Sequence, residues 1–138
     1  MPLTEPELTV GAVAYFDHEI LLREPEIDRN DDGLNRPGPF LCIEAREGRS
    51  VWVAITSQFR PERLLIDQAW RIAGSQKWRD EDAYLVDGLN TYVGPDSAFV
   101  RAASAERPFY PNTRPHVSLA GVQAVIQEVD RQGGPRLD

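Results

Sequence analysis

Two apolar runs, Phe40-Leu41-Cys42-Ile43-Glu44-Ala45 and Ser50-Val51-Trp52-Val53-Ala54-Ile55-Thr56-Ser57, flank the polar quartet Arg46-Glu47-Gly48-Arg49. β-branched and aromatic residues on both sides of a short glycine-containing connection predict a β-hairpin, the strongest local constraint on the fold. Around it, Thr9–Phe16 reads as a first strand ending near Asp17-His18. Ala83–Val86 and Asn90–Val93 read as strands bounded by Asp87-Gly88 and Gly94-Pro95, and Ala98–Ala102 as a further short one. Arg60 to Gly74 is ambiguous. Pro61 and Gly74 suit the ends of a helix, whereas Leu64-Leu65-Ile66 suits a strand. The segment from Glu106 to Pro115, with prolines at 108, 111 and 115, reads as a meandering loop.

The C-terminal segment is clearer. Ser118 caps a helix over about 119–132. Its apolar stripe is Leu119, Val122, Val125, Ile126 and Val129, and Gly133-Gly134-Pro135 stops it. Short strands with one late helix predict a mainly β fold with helices: a small, partly open β-barrel carrying a C-terminal α-helix. At 138 residues the chain has the size of one domain, so 1–138 is expected to share one core.

Charge is distributed unevenly. Residues 1–35 hold nine acids and two bases, which accounts for the whole net charge of −7; the remainder holds 13 of each. Residues 23–35 are polar, aperiodic and punctuated by Pro25 and Gly33, and read as an exposed acidic loop. Asp28, Asn30 and Asp32 alternate like the start of a calcium loop, but the glycine and distal glutamate such a loop needs are absent at the proper offsets. Fourteen of the 15 bases are arginine, whose planar fork suits phosphate or carboxylate. No apolar stretch is long enough for a membrane-spanning helix. The start, Met1 to Glu7, lacks the basic and apolar regions of a secretory signal. With Cys42 as the sole cysteine, the expectation is a cytoplasmic protein with no internal disulfide.

Chemistry concentrates at the open end of the predicted hairpin. Gly33-Leu34-Asn35-Arg36-Pro37 precedes the first strand, and Thr56-Ser57-Gln58 closes the second, with Arg60 just beyond. Antiparallel pairing brings these segments to one rim, where a guanidinium beside two hydroxyls forms a phosphate-binding constellation. Plainer readings stand beside it. Arg36 can be an ordinary loop arginine, and Thr56-Ser57 can simply end a strand. His18, between Asp17 and Glu19, reads as an exposed loop residue, and His116, before the helix, as structural. Two histidines without partners at ligand spacing predict no metal site. Cys42 and Trp52 read as core.

The order Gly33-x-x-Arg36-Pro37, apolar strand, hairpin, Ile55-Thr56-Ser57 resembles the PemK/MazF family of toxin endoribonucleases over about residues 9–60. Ala54 stands where that family has proline. The resemblance implies an SH3-like barrel, a homodimer, a cognate antitoxin as protein partner, and metal-independent, cofactor-free cleavage of single-stranded RNA. It also implies roles: Arg36 stabilises charge on the reacting phosphate, Thr56 hydrogen-bonds the phosphate or 2′-hydroxyl, and Ser57 completes the catalytic set. Asn35, Gln58 and Arg60 line the substrate groove. The acidic first quarter opposes this picture, since RNA grooves are positive. It points to the alternative of a non-catalytic interaction module, or an antitoxin or immunity protein, on the same barrel.

Overall fold

A computed structural model describes residues 3–30, 38–74, 76–85, 91–104, 106, 114–133 and 137. Its centre is the expected hairpin. β3 (Gly38–Arg46) pairs with β4 (Arg49–Thr56) from Phe40↔Ala54 to Arg46↔Arg49, with a register shift between Cys42 and Glu44. The connection is tighter than the quartet implies. Arg46 and Arg49 belong to the ladder, leaving a two-residue turn in which Glu47 and Gly48 have φ of 52° and 77°. Positive φ at both positions gives the turn a twist that matches the strands, and glycine makes the second position inexpensive.

β1 (Val13–Phe16) pairs with β3, while β7 (Thr91–Pro95) pairs with β4 and then with β2 (Asp28–Asn30). β6 (Tyr84–Leu85) adds to the far end of β4, and β5 (Arg71–Ile72) with β8 (His116–Val117) forms a separate ribbon. All these pairings are antiparallel. The main sheet runs β1-β3-β4-β7-β2, and among the described residues no pairing joins β1 to β2. The architecture is therefore mixed α/β with an open, antiparallel sheet, more helical than the mainly β barrel expected from sequence. β1 starts later than the apolar run suggests because Gly11 turns the chain. At φ 96° it donates to the Cys42 carbonyl and accepts from Val117 N–H, and a Cβ there would lie 2.5 Å from the Val117 carbonyl oxygen.

Both faces of the sheet are covered, which explains why Val51–Ile55 is apolar at every position. One face is aromatic. Phe16 packs within 4.9–5.5 Å of Trp52, Phe40 and Phe99, and Phe40 meets Tyr92 edge-on at 5.2 Å. The buried Trp52 indole N–H donates to Ser50 Oγ at 2.9 Å. Two helices cover this face, α1 (His18–Arg23) and α3 (Asp96–Ala102), and a bidentate Arg101–Glu24 pair at 2.6 and 2.7 Å ties Glu24, the C-cap of α1, to α3. The other face is aliphatic, with Val13, Leu41, Ile43, Val51, Val53 and Val93 under Val122, Val125 and Val129 of α4 (Leu119–Gln132).

Several local expectations change. Ala98–Ala102 is helix: the chain turns at Pro95, Asp96 occupies the first turn, and Ala98, Phe99 and Ala102 present one buried face at helical spacing. Tertiary packing decides such a short apolar run. Part of the acidic first quarter, including residues 28–30 of the expected 23–35 loop, is structured. Asp17 caps α1 through a hydrogen bond from Glu19 N–H at 2.9 Å, and Asp28–Asn30 form β2; residues 31–35 lie outside the described residues. Hence His18 starts a helix, half-buried, and is no exposed loop residue. Arg60 to Gly74 is neither helix nor a continuous strand. It breaks into turns, a 3₁₀ turn at Gln68–Trp70 and the two residues of β5. α2 (Gln76–Asp80) follows. α4 keeps the predicted bounds, with Ser118 Oγ accepting from Gly121 N–H and Gly133 at φ 78°. Leu119, however, is 68% exposed and leaves the stripe.

Candidate functional site

The rim beyond β4 forms because the strand runs out of neighbours. Ile55 and Thr56 pair with Leu85 and Tyr84, and the chain then departs through Ser57-Gln58-Phe59-Arg60-Pro61. Thr56 Oγ1 accepts the Gln58 N–H at 3.2 Å, a hydroxyl-closed turn. Arg63 N–H donates to the Arg60 carbonyl at 3.0 Å around Pro61, whose fixed φ suits that corner. Arg63 Nη1 donates back to the Gln58 carbonyl at 2.9 Å. These bonds hold residues 56–63 as one compact loop.

Phe59 stands on this loop, 68% exposed, its ring 5.8 Å from and nearly perpendicular to that of Tyr84. Leu65, 46% exposed, bridges to Tyr84 on the neighbouring segment. The buried Tyr84 sends its hydroxyl 3.4 Å to Asp82 Oδ2; burial, and then that carboxylate, push the phenol above its ordinary pKa. The backbone under Asp82 is anchored on both sides. Arg71 Nη1 donates to the Glu81 carbonyl, and Ile66 N–H donates to the Ala83 carbonyl at 2.8 Å.

Of the residues singled out from sequence, Thr56, Ser57, Gln58 and Arg60 are brought together here, Thr56 half-buried and the other three exposed. Asn35 and Arg36, with the rest of Gly33-x-x-Arg36-Pro37, lie outside the described residues. The register Phe40↔Ala54 does put the start of β3 at the same end of the hairpin as Thr56. Sequence reasoning passed over Phe59, Tyr84 and Asp82. Its one usable signal was a large apolar residue stranded in the polar stretch Ser57-Gln58-Phe59-Arg60.

Other polar concentrations are structural. Arg71, only 7% exposed, stacks over Trp78 at 5.7 Å and donates to the Trp78 carbonyl at 2.8 Å; burial lowers its pKa, with Asp82, Asp67 and Asp80 acting against the shift. Its Nε and Nη2 have no hydrogen-bond partner among the described residues. Glu7, Glu106 and Arg114 form a second network along β1. Cys42 is fully buried, and burial pushes its thiol up to about 12, so it is core and no nucleophile. Among the described residues no group of three His, Cys, Asp or Glu side chains is arranged to hold a metal ion, and no helix is long and apolar enough to cross a membrane.

Comparison with family models, with curated proteins and with solved structures returns no match for this chain.

Proposed function

We propose that this chain is a metal-independent endoribonuclease of toxin type that takes single-stranded RNA on the rim beyond β4. The observation that carries the reading is the exposed Phe59 ring beside Thr56, Ser57, Gln58 and the exposed Arg60. Single strands are held by stacking on exposed rings and by cations along the backbone, and both elements occur here on one loop. The same reading takes the sheet as an opened relative of an SH3-like barrel, the active form as a homodimer, the protein partner as an antitoxin and the compartment as the cytoplasm.

In the reaction the ribose 2′-oxygen attacks the adjacent phosphorus, the bond from phosphorus to the 5′-oxygen breaks, and a proton passes from the 2′-hydroxyl while another reaches the departing 5′-oxygen. Products carry a 2′,3′-cyclic phosphate and a 5′-hydroxyl. Arg36 stabilises the five-coordinate phosphate, and Thr56, free to donate its hydroxyl proton while accepting from Gln58, binds the phosphate or the 2′-oxygen. Purified protein with single-stranded RNA in EDTA should yield such ends. Arg36→Ala should lower the rate by roughly 10²–10³, the usual loss when a donor to developing charge is removed. Thr56→Val should also slow it. RNA that stays intact in every sequence context rejects the catalytic reading.

One observation favours the alternative of a non-catalytic interaction module or immunity protein: Glu19, Glu26 and Asp28 are exposed around α1 and β2. Salt-sensitive capture of a basic nuclease, with no RNA cleavage, would establish it in place of the first.

A further inference from the structure

We infer that Asp82 reads a guanine base stacked on Phe59. This rests on the RNA-binding reading of the rim and extends it to base choice. A single side chain, Tyr84, connects the two parts: its ring meets Phe59 at 5.8 Å and its hydroxyl reaches Asp82 at 3.4 Å. An exposed stacking surface and an exposed carboxylate therefore both contact the same buried side chain.

The chemistry selects the base. A carboxylate only accepts hydrogen bonds, through two oxygens side by side. On its Watson–Crick edge guanine presents two neighbouring donors, N1–H and the N2 amino group. Adenine and cytosine offer one amino group beside a ring-nitrogen acceptor, and uracil one N–H between two carbonyls, so each sets a lone pair against the carboxylate. Splayed single-stranded bases are recognised on this edge while stacked on an aromatic ring. Asp82 has the spare capacity. Its only hydrogen bond among the described residues is the long one from Tyr84, and its backbone is fixed by the bonds to the Glu81 and Ala83 carbonyls. Arg60, with no hydrogen bond or ion pair among the described residues involving its side chain, is available for a flanking phosphate.

The test uses non-cleavable 2′-O-methyl nonamers of uridine with guanine, adenine, cytosine or uracil at the centre, measured by fluorescence anisotropy at fixed salt. A bidentate base contact gives about tenfold discrimination or more, so the guanine oligomer should bind about tenfold tighter than the other three. Asp82→Asn should abolish the guanine preference, since an amide puts a donor against one of guanine's and instead complements the donor–acceptor edge of adenine or cytosine. Inosine, which lacks the N2 amino group, should fall between guanine and adenine. Phe59→Ala should weaken all the oligomers together, as loss of a stacking partner does. Equal affinities in the unaltered protein, or a guanine preference that survives Asp82→Asn, overturn the inference while leaving RNA binding standing. No binding to any oligomer overturns both.

Discussion

Two clusters of polar side chains border the sheet, and they differ in how much of their hydrogen-bonding capacity is used. Along the outer edge of β1, Arg114 and Glu106, with side chains 5% and 1% exposed, pair through two bonds of 2.8 and 2.9 Å. Arg114 also donates to the Val13 carbonyl at 3.0 Å and to Glu7 at 2.9 Å, while Glu106 accepts the Tyr15 N–H at 2.7 Å. An ion pair thus supplies what a neighbouring strand would supply, and the edge is closed to further pairing. At the rim beyond β4, Ser57, Gln58, Phe59 and Arg60 are exposed, and among the described residues the side chains of Ser57, Gln58 and Arg60 donate no hydrogen bond. Saturated polar groups hold the architecture. Unsaturated ones on a pinned loop are available for recognition.

Removing one member of the saturated cluster should have the largest effect. Glu106→Ala leaves the Arg114 guanidinium buried without its main counter-charge, a change that typically costs about 3–5 kcal/mol. Urea denaturation should show that loss, and a loss below 1 kcal/mol would mean that β1 has another seal.

Acid probes the same cluster more gently. Glu7 closes the 3₁₀ turn at Glu5–Glu7 by accepting from Thr4 N–H and Oγ, both at 2.9 Å. Partial burial pushes its carboxyl up, but the Arg114 guanidinium and the Thr4 bonds outweigh burial and hold it below the ordinary 4.5. A carboxyl depressed in the folded state stabilises above its unfolded pKa, and that contribution disappears as pH falls through the folded value. Stability should therefore decline below about pH 4.5, and Glu7→Gln should flatten part of the decline. Because the Glu7 side chain is 37% exposed, its cost at neutral pH should be about 1 kcal/mol or less. An unchanged acid limb would separate Glu7 from the seal.

The two clusters also mark where sequence reading works and where it stops. The hairpin and α4 are legible because their signals are local: continuous apolar β-formers on both sides of Glu47-Gly48, and Ser118 and Gly133 at the ends of an apolar period. α3 was misread as a strand because five apolar-rich residues fit either period, and contact with the aromatic face decides between them. Four Arg-Pro pairs occur, at 36, 60, 107 and 114. Nothing local distinguishes Arg114, which is buried in the seal, from Arg60, which is exposed. Arg114 owes its burial to Val13 and Glu7, 101 and 107 residues away, together with Glu106, whereas Arg60 follows β4 out onto the exposed rim. Thr56, Ser57, Gln58, Phe59 and Arg60 are neighbours in sequence; the Asp82 carboxylate joins them only through Tyr84 and the β4–β6 ladder, and no local signal groups it with them.

The smallest expected change in stability is also the sharpest test of the contrast. Phe59 is the largest side chain on the rim and touches Tyr84 edge-on, a contact worth about 0.5–1.5 kcal/mol where rings are buried. Here one ring is 68% exposed, so most of its apolar surface already faces water and truncation returns little of it. Phe59→Ala and Arg60→Ala should each shift unfolding by no more than about 0.5 kcal/mol, the range of ordinary surface substitutions, while both weaken RNA. A loss above 2 kcal/mol for Phe59→Ala would make that ring a lid on the β4–β6 ladder. The rim would then belong with the seal among the parts that hold the fold, and its exposure would cease to argue for a ligand.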